Sequence, residues 1–215
     1  MRSRFDQQLQ LLKEEMVYMG DLCGEAIQIT VGALVDGDVS RARTVNNMMS
    51  QISQQERSIE NICLKLMMQQ QPVARDLRTI SSALKMVTDM ERIGIQACDM
   101  AEIISVGNIE KAVDKVDFKE LSDEVSRMVR MSLQAFEDTD MQLAEKVIKY
   151  DDVVDKLFCD IREELIKKLR EGNNDAEYFL DMLMIDKYFE RIGDHAVNIA
   201  RWVNFSVTGE IELIE

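Results

Sequence analysis

The chain has one proline and nine glycines in 215 residues, so it is poor in the residues that break helices and build tight turns. No apolar run approaches the roughly twenty residues of a membrane helix. The opening Met1-Arg2-Ser3-Arg4 leads into acidic and Gln-rich sequence instead of an apolar signal core, and a cytoplasmic protein is expected. Cys23, Cys63, Cys98 and Cys159 include no CxxC pair, which speaks against a zinc knuckle or a disulfide framework and for buried, reduced thiols. Basic residues number 26 against 40 acidic ones, for a formal charge of -14, and no basic patch stands out. A nucleic-acid partner is therefore not expected. The few basic residues on the apolar stripes likewise argue against a buried anion pocket, whereas cations or a basic partner surface suit the charge.

Leu, Met, Glu, Lys and Gln fill the space between the few breakers, which makes an all-α protein the natural reading. Breaker clusters at Asp36-Gly37-Asp38, Gln71-Pro72, Gly107-Asn108, Glu137 to Asp140, Gly172-Asn173-Asn174 and Thr208-Gly209 divide the chain into six long helices. Asp38, Asp140 and Asn174 are placed to cap helix starts, and Pro72 suits the first turn of the third helix. The first helix carries Phe5, Leu9, Leu12, Met16, Met19, Cys23 and Ala26 in steps of four and three, the stripe a bundle helix buries. The second carries Ala42, Val45, Met49, Ile52, Glu56, Ile59, Cys63 and Leu66, and the third Val73, Leu77, Ile80, Leu84, Val87, Glu91, Gly94 and Cys98.

An offset of 102 positions carries Met19 onto Leu121, Cys23 onto Val125, Ala33 onto Ala135 and Val45 onto Val147, and for the third helix of each half the offset becomes 99. The chain thus reads as a tandem duplication of two antiparallel three-helix bundles, with repeats over 1–107 and 108–215. One segment shows both the repeat and its asymmetry. Glu91-Arg92-Ile93-Gly94-Ile95 returns as Glu190-Arg191-Ile192-Gly193-Asp194, and only the later copy has two carboxylates one helical turn apart.

The fifth-helix stripe contains Asp151, with Asp155 one turn on, and the sixth-helix stripe contains Asp186 and Glu190, with Asp194 one turn on. Carboxylates at core-facing positions need protonation, a cationic side chain or a bound metal to neutralise them. The plainer alternative is that they face water or pair with Lys187 or Arg191. In the first half Met49, Ser53 and Ile95 stand where Asp151, Asp155 and Asp194 stand later. His195, the only histidine, lies about 100° around the helix from Asp194, which suits a surface or interface role better than ligation. Fifteen methionines, Met16, Met19, Met49 and Met128 among them, read as flexible core filler. Joint exposure of Met67, Met68 and Met90 would instead mark a partner surface.

Gln70-Gln71-Pro72-Val73-Ala74-Arg75-Asp76-Leu77-Arg78, Met90 to Gly94, and Glu190 to Ala200, with Arg4-Phe5-Asp6 at the start and Val207 to Glu210 at the end, resemble the PhoU family of bacterial phosphate-transport accessory and regulatory proteins. The resemblance runs the length of the chain. It implies a homodimeric, non-enzymatic protein that restrains phosphate uptake and phosphate-starvation signalling through the transporter's ATPase subunit and a sensor histidine kinase, reaching the membrane only through them. It further implies a multinuclear iron or zinc site on Asp151, Asp155, Glu190 and Asp194, with the matching set broken in the first half and Glu56 and Glu91 left to bond Arg or backbone groups. From the residues alone, the segment from Pro72 to Arg78 reads either as helix-start chemistry or as a partner contact. The other functional readings are a carboxylate-bridged metalloenzyme or metal-storage protein, and an accessory protein for a different anion transporter.

Overall fold

The computed structural model describes residues 2–69, 72–107, 109, 115–171 and 175–210, and among them all regular secondary structure is helical. The elements are α1 (Arg2–Asp36), α2 (Val39–Val45), α3 (Met48–Gln69), α4 (Ala74–Val106), α5 (Lys119–Asp138), α6 (Met141–Arg170) and α7 (Ala176–Thr208). They form two antiparallel three-helix bundles in tandem, one from α1 to α4 and one from α5 to α7. The second of the six expected helices is split into α2 and α3 at Asn46-Asn47, where side-chain amides compete with the helical backbone for hydrogen bonds.

Caps fix the helix starts where the sequence offers carboxylates. Asp38 accepts the Arg41 amide, Asp140 accepts those of Gln142 and Leu143, and Asp175 accepts that of Tyr178. The cap of α7 is thus Asp175, and the expected cap Asn174 lies outside the described residues. Helix ends use left-handed backbone at Thr139 (φ 55°) and Gly209 (φ 79°). Pro72 stands outside the first turn of α4, because Val73 is the N-cap and the helix begins at Ala74. The ring supplies rigidity just before the helix instead of filling its first position.

The buried apolar side chains of both bundles join into a single core. The stripe of α1 is buried from Phe5 to Ala26 apart from the half-buried Leu9. Several expected core positions are outside. Met49, Val73, Leu77 and Cys159 are exposed, the first three because each lies close to a helix start where the neighbouring helices no longer cover it. Met68 is exposed but Met90 is buried, so the methionines do not gather into one surface.

The repeat is visible in the packing. A Cβ on Gly94 would meet Ile52 Cδ1 at 2.6 Å, and a Cβ on Gly193 would meet Val154 Cγ1 at 3.3 Å. These are the same contact one repeat apart. The two bundles join chiefly along α4 and α7, the most extensive helix pair in the molecule, with a second contact between α1 and α5. At the α4–α7 seam, His195 Nδ1 lies 2.8 Å from Asp89 Oδ1, and Asn198 Nδ2 donates to the same oxygen at 3.4 Å.

Candidate functional site

Helices α6 and α7 pack closely because Gly193 has no side chain, and this brings Asp151 Oδ1 to 3.8 Å from where a Gly193 Cβ would stand. Val154 is buried beneath this contact. Asp151 and Asp155 leave α6 on the same edge, and Glu190 and Asp194 leave α7 opposite them. The four expected residues therefore share one interhelical cleft, along its rim and not in its core: Asp151 and Glu190 are half-buried, Asp155 and Asp194 exposed.

Each aspartate of the cleft is harder to ionise than a free one. Asp151 is pushed up to about 6 by desolvation, then by the charges of Asp155 and Asp194, with Arg201 opposing. Desolvation followed by repulsion from Glu190 raises Asp155 and Asp194, and Lys187 pulls both back. Lys187 is the cation bonded directly to the cleft. Its Nζ donates to both carboxylate oxygens of Glu190 at 2.6 Å and lies 5.4 Å from the centroid of the Phe158 ring. Arg191, the other expected counter-ion, turns toward Asp99 and Tyr188.

Asp186 is the member whose burial the stripe pattern announced most directly. It has no exposed surface, both its oxygens lack a hydrogen-bond partner, and its acidity is pushed to about 8 by desolvation and by Glu190, against Lys187 and Arg162. The plainer alternative raised from the residues, pairing with Lys187, holds for Glu190, both of whose carboxylate oxygens accept from the ammonium.

The donor set consists of carboxylate oxygens, which suit hard or borderline cations. With every aspartate of the cleft raised, the cleft is short of positive charge even with Lys187 in place, and a cation fits that deficit. Asp151, Asp155, Glu190 and Asp194 are the residues that could hold one, Glu190 only on release from Lys187. Among the described residues, no three His, Cys, Asp or Glu side chains already converge as a ready cage. His195 faces Asp89 across the seam, which leaves oxygen chemistry to the cleft.

The corresponding place in the first repeat keeps Glu91 but has neutral residues where the second has Asp151, Asp155 and Asp194. Ser53 Oγ donates to Glu91 Oε1 at 2.9 Å where the second repeat opposes Asp155 to Glu190. Ile95 is half-buried and Met49 exposed. Glu91 thus bonds a hydroxyl and not the Arg or backbone group expected. Glu56 is raised by desolvation and by the charges of Glu91 and Glu60.

The PhoU domain model matches the chain twice, over residues 16–104 and 118–203. Similar proteins include the phosphate-specific transport system accessory protein PhoU homologs of Pseudomonas aeruginosa and Clostridium acetobutylicum. Each is 33% identical, over 96% of this chain and 86% of the first relative, and over 97% of this chain and 96% of the second. The crystal structure of PhoU from Pseudomonas aeruginosa matches with a TM-score of 0.91 at 33% identity, over 96% of this chain and all of that one. The phosphate transport system regulatory protein PhoU from Streptococcus pneumoniae matches in fold, with a TM-score of 0.89 at 22% identity over 98% of this chain and all of that one. No described helix is long and apolar enough to cross a membrane.

Proposed function

The chain belongs to the PhoU family, and on that premise we propose that it regulates phosphate uptake and homeostasis without catalytic turnover. It acts by contact, as a cytoplasmic homodimer docking on the phosphate transporter's ATPase subunit and on a sensor histidine kinase, and it holds down both uptake and starvation signalling. The observation that carries this reading is the full-length likeness to named phosphate-transport accessory proteins, with both repeats matched. The repeats divide the chain at 1–107 and 108–215.

In this reading Asp151, Asp155, Glu190 and Asp194 hold a metal, iron or zinc, that links α6 to α7. The bound ion supplies positive charge, which relieves the repulsion among the carboxylates and adds binding energy to folding. The protein's own part is to deliver oxygen ligands from two helices held close by Gly193. The all-oxygen rim, with His195 committed to the seam, supports a structural ion over a metalloenzyme centre.

Two experiments test the two halves of the reading separately. Deletion should raise phosphate uptake and derepress starvation signalling, and unchanged phenotypes would overturn the regulatory role. Metal analysis of untagged protein should find metal that is lost in Glu190→Gln with Asp194→Asn. Metal retained at full stoichiometry by that double variant would overturn the site.

A further inference from the structure

The four helices α1, α4, α5 and α7 meet around a cavity of about 590 Å³ that no part of the regulatory reading uses. Its lining departs from the charge of the molecule. Lys13 of α1 and Arg75 and Arg78 of α4 face it against a single carboxylate, Asp6, in a chain where acidic residues outnumber basic ones by 40 to 26. The described residues give none of these three cations an ion-pair partner. Elsewhere Arg41 pairs with Asp36, Arg127 with Glu124 and Lys187 with Glu190.

Arg78 is the most constrained of the three. Its side chain packs against the left-handed turn after α7, so that a Cβ on Gly209 would stand 3.1 Å from its Cδ and 3.5 Å from its Nε. That Nε is buried and has no acceptor. An orphaned guanidinium donor beside a cavity lacks an acceptor that a ligand would bring. Thr79 and Ser206 add hydroxyl oxygens, each donating its proton to a carbonyl of its own helix, and Leu12, Met86 and Phe136 add apolar lining.

We propose that this cavity is a binding pocket for a small organic phosphate of the nucleotide class. Its phosphoryl oxygens lie against Lys13, Arg75 and Arg78, and its apolar or aromatic body lies against Leu12, Met86 and Phe136. Two guanidinium groups and an ammonium match two or three negative charges, and guanidinium binds phosphoryl oxygens two at a time. The volume falls within the roughly 300–1,000 Å³ of small-molecule sites, whose walls are mostly apolar with a few placed polar groups. With the rest of the surface strongly acidic, anions have little reason to collect elsewhere. The pocket takes residues from both repeats, so a ligand there touches the junction of the bundles. It lies about 13 Å along α7 from Asp194, counted from there to Val203 at helical rise, and is independent of the metal reading.

The test is calorimetric titration of the full chain with ADP, adenosine and inorganic phosphate in parallel. One ADP should bind per chain, more weakly as salt rises, and adenosine should not bind. Inorganic phosphate should compete with ADP while binding more weakly. Arg75→Gln and Lys13→Gln, both at positions with solvent access, should each weaken ADP binding by about tenfold or more with an unchanged melting temperature. Glu190→Gln with Asp194→Asn should bind ADP as the parent does, whatever becomes of the metal. No ADP binding at about 10 mM, a range that detects even millimolar affinity, would overturn the pocket. So would binding undiminished in the Lys13→Gln, Arg75→Gln double variant. Inorganic phosphate binding as tightly as ADP would overturn the organic part of the assignment.

Discussion

Ser53 donates a 2.9 Å hydrogen bond to Glu91 at the place where the second repeat sets one carboxylate, Asp155, against another, Glu190. The two repeats solve one packing problem in different ways. The first joins a hydroxyl to Glu91, while the second sets Asp155 against Glu190 and relies on Lys187. Ser53→Ala should cost about 1 kcal/mol in chemical denaturation. Ser53→Asp should cost more at pH 7 than at pH 5, because it recreates the opposed carboxylates without a cation. Equal costs at both pH values would refute this account.

Lys187 should act as a stand-in for metal. Because the lysine is half exposed, Lys187→Met should lower stability of the metal-free protein by about 1 kcal/mol or less. The same variant should bind added divalent metal more tightly than the parent, since the ion no longer competes with an ammonium for Glu190. Titration with metal, monitored by melting temperature, checks both effects.

The buried aspartates make stability depend on pH in a sense opposite to that of salt-bridged carboxylates. The unfolded carboxyl titrates near 3.9, as model aspartates do. In the fold Asp186 titrates at about 8 and Asp151 at about 6. Between those limits the native state holds protons that the unfolded state has lost, so stability falls as pH rises. The contribution is fully present below about pH 4 and is lost through pH 6 for Asp151 and pH 8 for Asp186. In chelator-treated protein the decline should extend to about pH 8, and Asp186→Leu should shorten it while raising stability at pH 8. Removing two unpartnered oxygens from the core supports that direction. A parent protein whose stability rises from pH 5 to pH 8 would contradict the assignment.

The paired glycines predict unequal costs. Gly94→Ala forces a methyl to within 2.6 Å of Ile52, a fully buried side chain, and should cost about 1–3 kcal/mol as overpacking does. Gly193→Ala meets Val154 at 3.3 Å and needs a shift of only a few tenths of an ångström, so its cost should be clearly smaller. Thermal unfolding of the two variants side by side measures the difference.

Much of this was legible in the sequence, because helical stripes, caps and the offset of the repeats are local or periodic signals. The stripe from Phe5 to Ala26 and the caps at Asp38 and Asp140 appear as their spacing implied. Where reading failed, the deciding information was not periodic. Met49, Val73 and Leu77 sit on stripes yet face out, since a stripe does not say how far the neighbouring helices extend. The candidate site residues stood out through their asymmetry between repeats and Lys187 lies three residues before Glu190 on α7, but the rim position of the carboxylates depends on how α6 and α7 approach each other. The cationic pocket was missed for the same reason. Arg75 and Arg78 are three apart on α4 and adjacent from the sequence, but Lys13 sits on α1, and it joins them only when the helices meet around the cavity.

The seam between α4 and α7 has a consequence for how the molecule comes apart. Asp89 and His195 lie 106 positions apart in sequence, and the helices that carry them form the largest contact in the protein. Neither repeat can shed its partner without opening core that both share. Duplicated chains often melt in steps, each unit on its own. Here the cooperative unit is the pair, and a protein made of one motif written twice should unfold in a single transition.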